Sequence, residues 1–158
     1  MNISAAAIIL SMLPISEVRG GIPLAICSGS GWLEAFLICT AFNILIIFPL
    51  FFFLDYLNNI LLKIKWYEHF FNRQLNSARR KVQPSVKKYG WLGLILFVGI
   101  PLPFTGAYTG TLAAWALGME RKKAILSISL GVLMAGVIVT IVTLSGISWL
   151  RFFIKNVC

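Results

Sequence analysis

Glu17 and Arg19 stand between two apolar arms, residues 3–13 before them and a short run through Cys27 after them. Ionisable groups in such surroundings are expensive, and they usually serve a function. Two residues apart, they do not face one another on a regular helix. In a turn or a broken segment they can pair or flank one cavity. The chemistry they offer is an anion site: Arg19 grips a phosphate or carboxylate, and Glu17 carries a coupling proton or cation. The plainer alternative is an ion pair that locks the turn. Gly20, Gly21 and Pro23 follow at once and complete the first motif.

A second motif, Pro101-Leu102-Pro103-Phe104-Thr105-Gly106-Ala107-Tyr108-Thr109-Gly110, has no charge but many hydrogen-bonding groups. Thr105 and Thr109 bring hydroxyls, while Gly106 and Gly110 permit close approach and unusual dihedrals. A helix starting after the break would aim amides and its positive dipole end into the site, which suits phosphate. The alternative is a tight turn whose threonines cap their own arms.

The elements that must position these motifs are apolar. Residues 32–54 and 124–150 are nearly unbroken and, at ~1.5 Å per residue, long enough to cross a ~30 Å hydrocarbon core. The stretches holding the motifs differ. Each is cut at its centre by prolines, which disfavour helix at the preceding position, and each arm covers roughly half a bilayer. A re-entrant hairpin or a helix broken at mid-membrane is expected in both. Either must be buried in protein or line a wet cavity, because lipid cannot satisfy free amides.

The halves share a spacing. Pro14 and Pro101 are 87 residues apart, as are Gly31 and Gly118, and a long apolar stretch follows each. We read two repeats, residues 1–54 and 91–158, joined by a connector over residues 55–90, all in one membrane domain. As hairpins the repeats are inverted, a common transporter plan. The expected fold is therefore an all-α polytopic membrane protein. Positive-inside counting places the connector in the cytoplasm, whether the broken stretches span or return.

In the connector, Ile60, Ile64, Phe71, Leu75, Ala78 and Val82 follow helical spacing while most charges take other faces. A basic amphipathic helix on the cytoplasmic surface is expected, drawn to anionic headgroups. Over the whole chain 59% of residues are apolar and 12% charged, about half the usual charged share. That balance argues against a soluble enzyme or a nucleic-acid module, despite the net charge of +9. Cys27 and Cys39 lie in apolar stretches and read as buried thiols. No cleavable signal peptide is apparent. His69 falls in the connector and reads as a surface residue. No nucleophile–base pair and no acidic cluster for a metal is visible, so neither catalysis nor a cofactor is expected. Gly131 and Gly136 permit helix association, in a homodimer or within one protomer.

The two motifs, with the connector ending Lys-Tyr-Gly-Trp-Leu-Gly-Leu, resemble the prokaryotic small multidrug export protein family over nearly the whole chain. That family is distantly similar to the DedA (VTT-domain) membrane proteins. The resemblance implies two re-entrant hairpins that face one another in a multi-pass cell-membrane protein. It also implies movement of polyprenyl-phosphate carrier lipids. Carried over by position, the first hairpin holds Glu17 and Arg19, and the second holds residues 101–110. The leading expectation is a flippase for an anionic, phosphate-bearing lipid, coupled to protons through Glu17. Its alternatives are a small multidrug exporter exchanging cations for protons and, in another class, an assembly or tethering protein.

Overall fold

The computed structural model describes residues 3–57, 65–102 and 105–153, and the regular structure among them is entirely helical. Two short helices open the chain, α1 (Ala5–Met12) and α2 (Glu17–Cys27). Leu13, which caps α1, turns to extended backbone at φ −78° and ψ 142°. The cause is Pro14, whose ring disfavours the helical region for the residue before it.

A long apolar rod follows, α3 (Trp32–Leu45) and α4 (Ile47–Phe52), ending in a π-helical turn over Phe53–Leu57. The seam at Ile46 has a local cause. Pro49 has no N–H to give the Leu45 carbonyl, and its ring crowds that turn. After the connector helix α5 (Lys65–Tyr89) come α6 (Trp91–Gly99) and α7 (Ala107–Ala116), then the long α8 (Arg121–Phe153). Ile100 before Pro101 is extended, at φ −81° and ψ 116°, for the same reason as Leu13. Residues Trp32–Tyr56 and Arg121–Gly146 are long and apolar enough to cross a membrane.

Both broken stretches fold back as hairpins. A Cβ added at Gly21 would lie 2.6 Å from the Ser11 side chain and 2.9 Å from the Ala7 carbonyl. One added at Gly110 would lie 2.6 Å from Val98 and 3.9 Å from Leu94. Positions at similar distances before and after each break therefore touch, which an in-line broken helix does not allow. Hairpin followed by long helix occurs twice along the chain.

The interior is small and partly polar, and the exterior is large and apolar. Ala7, Ala25, Ala35, Ala107, Ala113, Ala114 and Ala124 are fully buried, beside Ser11, Asn43 and Ser127. Leu33, Leu37, Phe48 and Phe52 point outward from the first rod, and Leu126, Leu130, Val137 and Ile141 from α8. Such an exterior suits lipid, and the small residues inside let backbones approach. Gly131 packs on Val98 and the Ile95 carbonyl, and Gly136 on Thr40 and Phe36. Both glycines thus serve packing within the protomer.

Two expectations change. The apolar face of α5 is turned onto the second hairpin rather than laid on a bilayer. Phe71, Ala78 and Val82 are buried, Leu75 half-buried, and Phe71 meets Trp115 edge-to-face at 6.2 Å. Covering Trp115 and the neighbouring arms removes more apolar surface from water than an unpartnered helix would. Ile60 and Ile64 lie outside the described residues. Cys39 is a buried free thiol as read, whereas Cys27 is exposed and is not free. His69 is exposed.

Candidate functional site: two helix breaks that complete each other

A broken helix leaves carbonyls at one end and amides at the other without partners, and inside a membrane water cannot supply them. In the first hairpin the freed carbonyls are those ending α1. Ser16 Oγ donates to the Leu10 carbonyl at 2.7 Å, and Asn43 Nδ2 donates to the Ser11 carbonyl at 2.7 Å. The Tyr108 hydroxyl, from the second hairpin, donates to the Met12 carbonyl.

The second hairpin is satisfied in return by the first. The Arg19 guanidinium donates through Nη1 to the Leu102 carbonyl and through Nη2 to the Thr105 carbonyl. Nη2 also reaches Thr105 Oγ1 at 3.1 Å, while that hydroxyl lies 2.8 Å from the Leu102 carbonyl and 2.9 Å from that of Ile100. At the start of α7 the Ala107 and Tyr108 amides donate to the Glu17 carboxylate, at 3.3 and 3.4 Å. An acidic group at a helix start is favoured by the free amides and the dipole together.

Glu17 is buried and is the one non-glycine residue among those described with positive φ, at 48°. Side chains other than glycine are rare there, and such strain persists where surrounding contacts over-determine it. Gly106 makes the approach possible. Its φ is +144°, and a Cβ on it would lie 2.6 Å from Glu17 Cδ. No L side chain fits that position.

The predicted residues thus divide. Glu17, Arg19, Thr105 and Gly106 form one cluster despite the long separation in sequence. Gly20, Gly21 and Gly110 close the two hairpins, Gly20 against Leu10 and Ser16. Pro101 lies half-buried in the second break, and Pro23 sits inside α2, beyond the hydrogen bonds that join the breaks. Thr109 is half-buried on α7, and its hydroxyl takes no part in those bonds. Pro103 and Phe104 lie outside the described residues.

Glu17 and Arg19 do not pair with each other as an ion pair; each is spent on the opposite hairpin. The helix start read as a phosphate site holds an anion already, the Glu17 carboxylate. For a substrate anion to take those amides, Glu17 must first release them.

Tyr108 and Asn43 are the contributors the sequence reading passed over. Asn43 is fully buried, and a polar amide inside a spanning stretch is itself a signal. A second polar cluster lies where the π-helical turn after α4 meets α7 and α8. Trp115 Nε1 donates to Asp55 Oδ1 at 3.1 Å, Asp55 pairs with Arg121, and the Arg121 guanidinium lies 6.0 Å from the Phe51 ring centre. An apolar cleft of about 210 Å³, lined in part by Trp32, Phe36, Val137 and Ile141, opens between α3 and α8 and includes none of the predicted site residues.

Paired hairpins, two long apolar helices and an outward apolar surface define a helical membrane protein. The chain belongs to the family described as "Putative small multi-drug export protein", whose model matches residues 17–138, from the first residue of α2 to the middle of α8. No curated protein and no solved structure matches it.

Proposed function

We propose that the protein is a proton-coupled exporter of small organic cations, in which Glu17 is the coupling carboxylate. The observation that carries this reading is the Glu17 carboxylate closing on the start of α7 from 90 positions away. A carboxylate buried among apolar arms binds a proton or a cation in turn, and changing its charge changes its hold on α7. Protonation weakens the bonds from Ala107 and Tyr108, because a charged acceptor is about twice as strong as a neutral one. Hairpin contact and proton occupancy are then linked, as alternating access requires. The family description supports export of small molecules.

The same reading takes the chain as one membrane domain of two inverted repeats in a prokaryotic cell membrane, with α5 on the cytoplasmic side. It is a carrier and not an enzyme.

One observation favours a second reading, the DedA-like flippase for a polyprenyl-phosphate type of lipid. When Glu17 releases α7, two amides at a helix start are open to an anion, with Arg19 beside them. The test separates the two. The protein is reconstituted in liposomes under an imposed pH gradient, with a labelled quaternary cation in one arm and a labelled lipid phosphate in the other. Cation flux that follows the gradient and stops in Glu17→Gln is expected. Lipid movement without cation flux overturns the exporter reading in favour of the second. Movement of neither sinks both.

A further inference from the structure

The connector helix docks its apolar side on the second hairpin and leaves the opposite side to the surroundings. Asn72, Arg73, Gln74, Asn76, Ser77, Arg79 and Arg80 are all exposed. Over residues 65–89 the sequence has Lys65, Arg73, Arg79, Arg80, Lys81, Lys87 and Lys88 against the single acid Glu68. Arg73, Asn76, Ser77, Arg80 and Lys81 line one open depression of about 500 Å³. Their spacing of three, four, seven and eight residues places them along one stripe of a helix. Two guanidinium forks therefore flank an amide and a hydroxyl, a donor set suited to a phosphodiester.

Position along the chain says which phosphodiester. The helix begins nine residues after Tyr56, where the first long apolar segment ends, and stops two residues before Trp91, where the second hairpin begins. Both ends are tied at the membrane edge. Tyr89 and Trp91 are each about half exposed there, as aromatic residues at the headgroup level are.

We infer that the Arg73–Asn76–Ser77–Arg80 stripe of α5 is a binding surface for the headgroups of anionic phospholipids in the surrounding leaflet. The surface is distinct from the Glu17 site and stands whether or not the exporter reading holds. Through Phe71 and Trp115 it is joined to the second hairpin, so bound lipid steadies the helix that covers that hairpin.

The test is native mass spectrometry of the full-length protein, released from detergent micelles holding equal amounts of phosphatidylglycerol and phosphatidylcholine. Wild-type protein is expected to retain phosphatidylglycerol in preference. In the double variant Arg73→Gln/Arg80→Gln that preference should fall by about twenty-five-fold, roughly fivefold for each arginine, with thermal unfolding unchanged in micelles of phosphatidylcholine alone. In wild-type protein, raised salt should weaken the preference and millimolar inorganic phosphate should not. Arg79→Gln, outside the depression, should change it little. Equal retention of the two lipids overturns the inference, as does a preference indifferent to salt. So does competition by free phosphate, or an effect of Arg79→Gln equal to that of the double variant. Loss of cell function in the double variant with lipid retention intact would assign the surface to a protein partner and overturn it as well.

Discussion

Glu17 and Tyr108 hold each other's hairpins: the Tyr108 amide donates to the Glu17 carboxylate at 3.4 Å, while the Tyr108 hydroxyl donates to the Met12 carbonyl. Tyr108 thus takes part in both breaks, while Glu17 and Arg19 reach the second from the first. The arrangement fills a structural need and leaves a titratable carboxylate at the joint. Structure and coupling therefore have to be separated by choice of substitution.

Glu17→Gln keeps an oxygen that can accept from Ala107 and Tyr108 but cannot exchange a proton. The variant should accumulate and unfold like wild type, while proton-driven flux in liposomes is lost. Glu17→Ala removes the acceptor altogether and leaves the buried Ala107 amide and the half-buried Tyr108 amide without it, costing about 1–3 kcal/mol for the buried group. Thermal unfolding in detergent should show that difference. Full flux in Glu17→Gln would reduce Glu17 to a helix cap.

Arg19→Lys keeps the charge but loses the fork that reaches the Leu102 and Thr105 carbonyls together. We expect a loss of about 0.5–1.5 kcal/mol, since one of the two bonds goes while the Leu102 carbonyl keeps the Thr105 hydroxyl. Arg19→Ala should cost more. Equal stability of the lysine variant would mean that the fork contributes nothing beyond charge.

Gly106→Ala should be the most damaging glycine substitution tested. The backbone is already at φ +144°, and the added methyl would overlap the Glu17 carboxyl group. Gly31→Ala is the control, with φ −60° and nothing within 4 Å of the new atom. Expression and melting of the two variants should differ clearly, and a match would sink the close approach of Gly106 to Glu17.

Trp115→Phe should destabilise more than Arg121→Gln, although both touch Asp55. The tryptophan N–H donates to a charged acceptor that is mostly shielded, a bond worth about 1.5–3 kcal/mol. The Arg121 side chain is 59% exposed, and exposed ion pairs contribute about 0–1 kcal/mol. Chemical or thermal unfolding of the two variants checks the order.

Asn43→Leu roughly preserves shape and suits an apolar interior, yet should cost about 1–3 kcal/mol, because the Ser11 carbonyl loses its donor inside the protein. Wild-type stability in that variant would show that water or another group reaches the end of α1.

The helices, their breaks and the long apolar segments were legible in the sequence because their causes are local. Pro14 and Pro101 act on the residue before them, and Pro49 on the turn it occupies. The apolar runs are long enough to read as membrane-crossing whatever their neighbours do. Glu17 and Arg19 were legible as candidates because charge among apolar arms is costly wherever the chain then goes. The inverted relation of the repeats and the side of the membrane facing α5 are not local properties, and they remain part of the proposal.

Only the tertiary structure decided what those residues touch. Residue type and spacing allowed an ion pair between Glu17 and Arg19, an open phosphate site at the start of α7, or a capping turn. Packing the hairpins together chose none of these in its simple form. Each break leaves more unpaired backbone than its own side chains can satisfy, and the cheapest donors and acceptors lie on the other hairpin. The same rule placed Asn43 against Ser11 and Tyr108 against Met12, and the burial of Trp115 placed α5. Hydrogen-bond partners ninety residues apart are set by which surfaces meet, and no local pattern in the sequence contains that information.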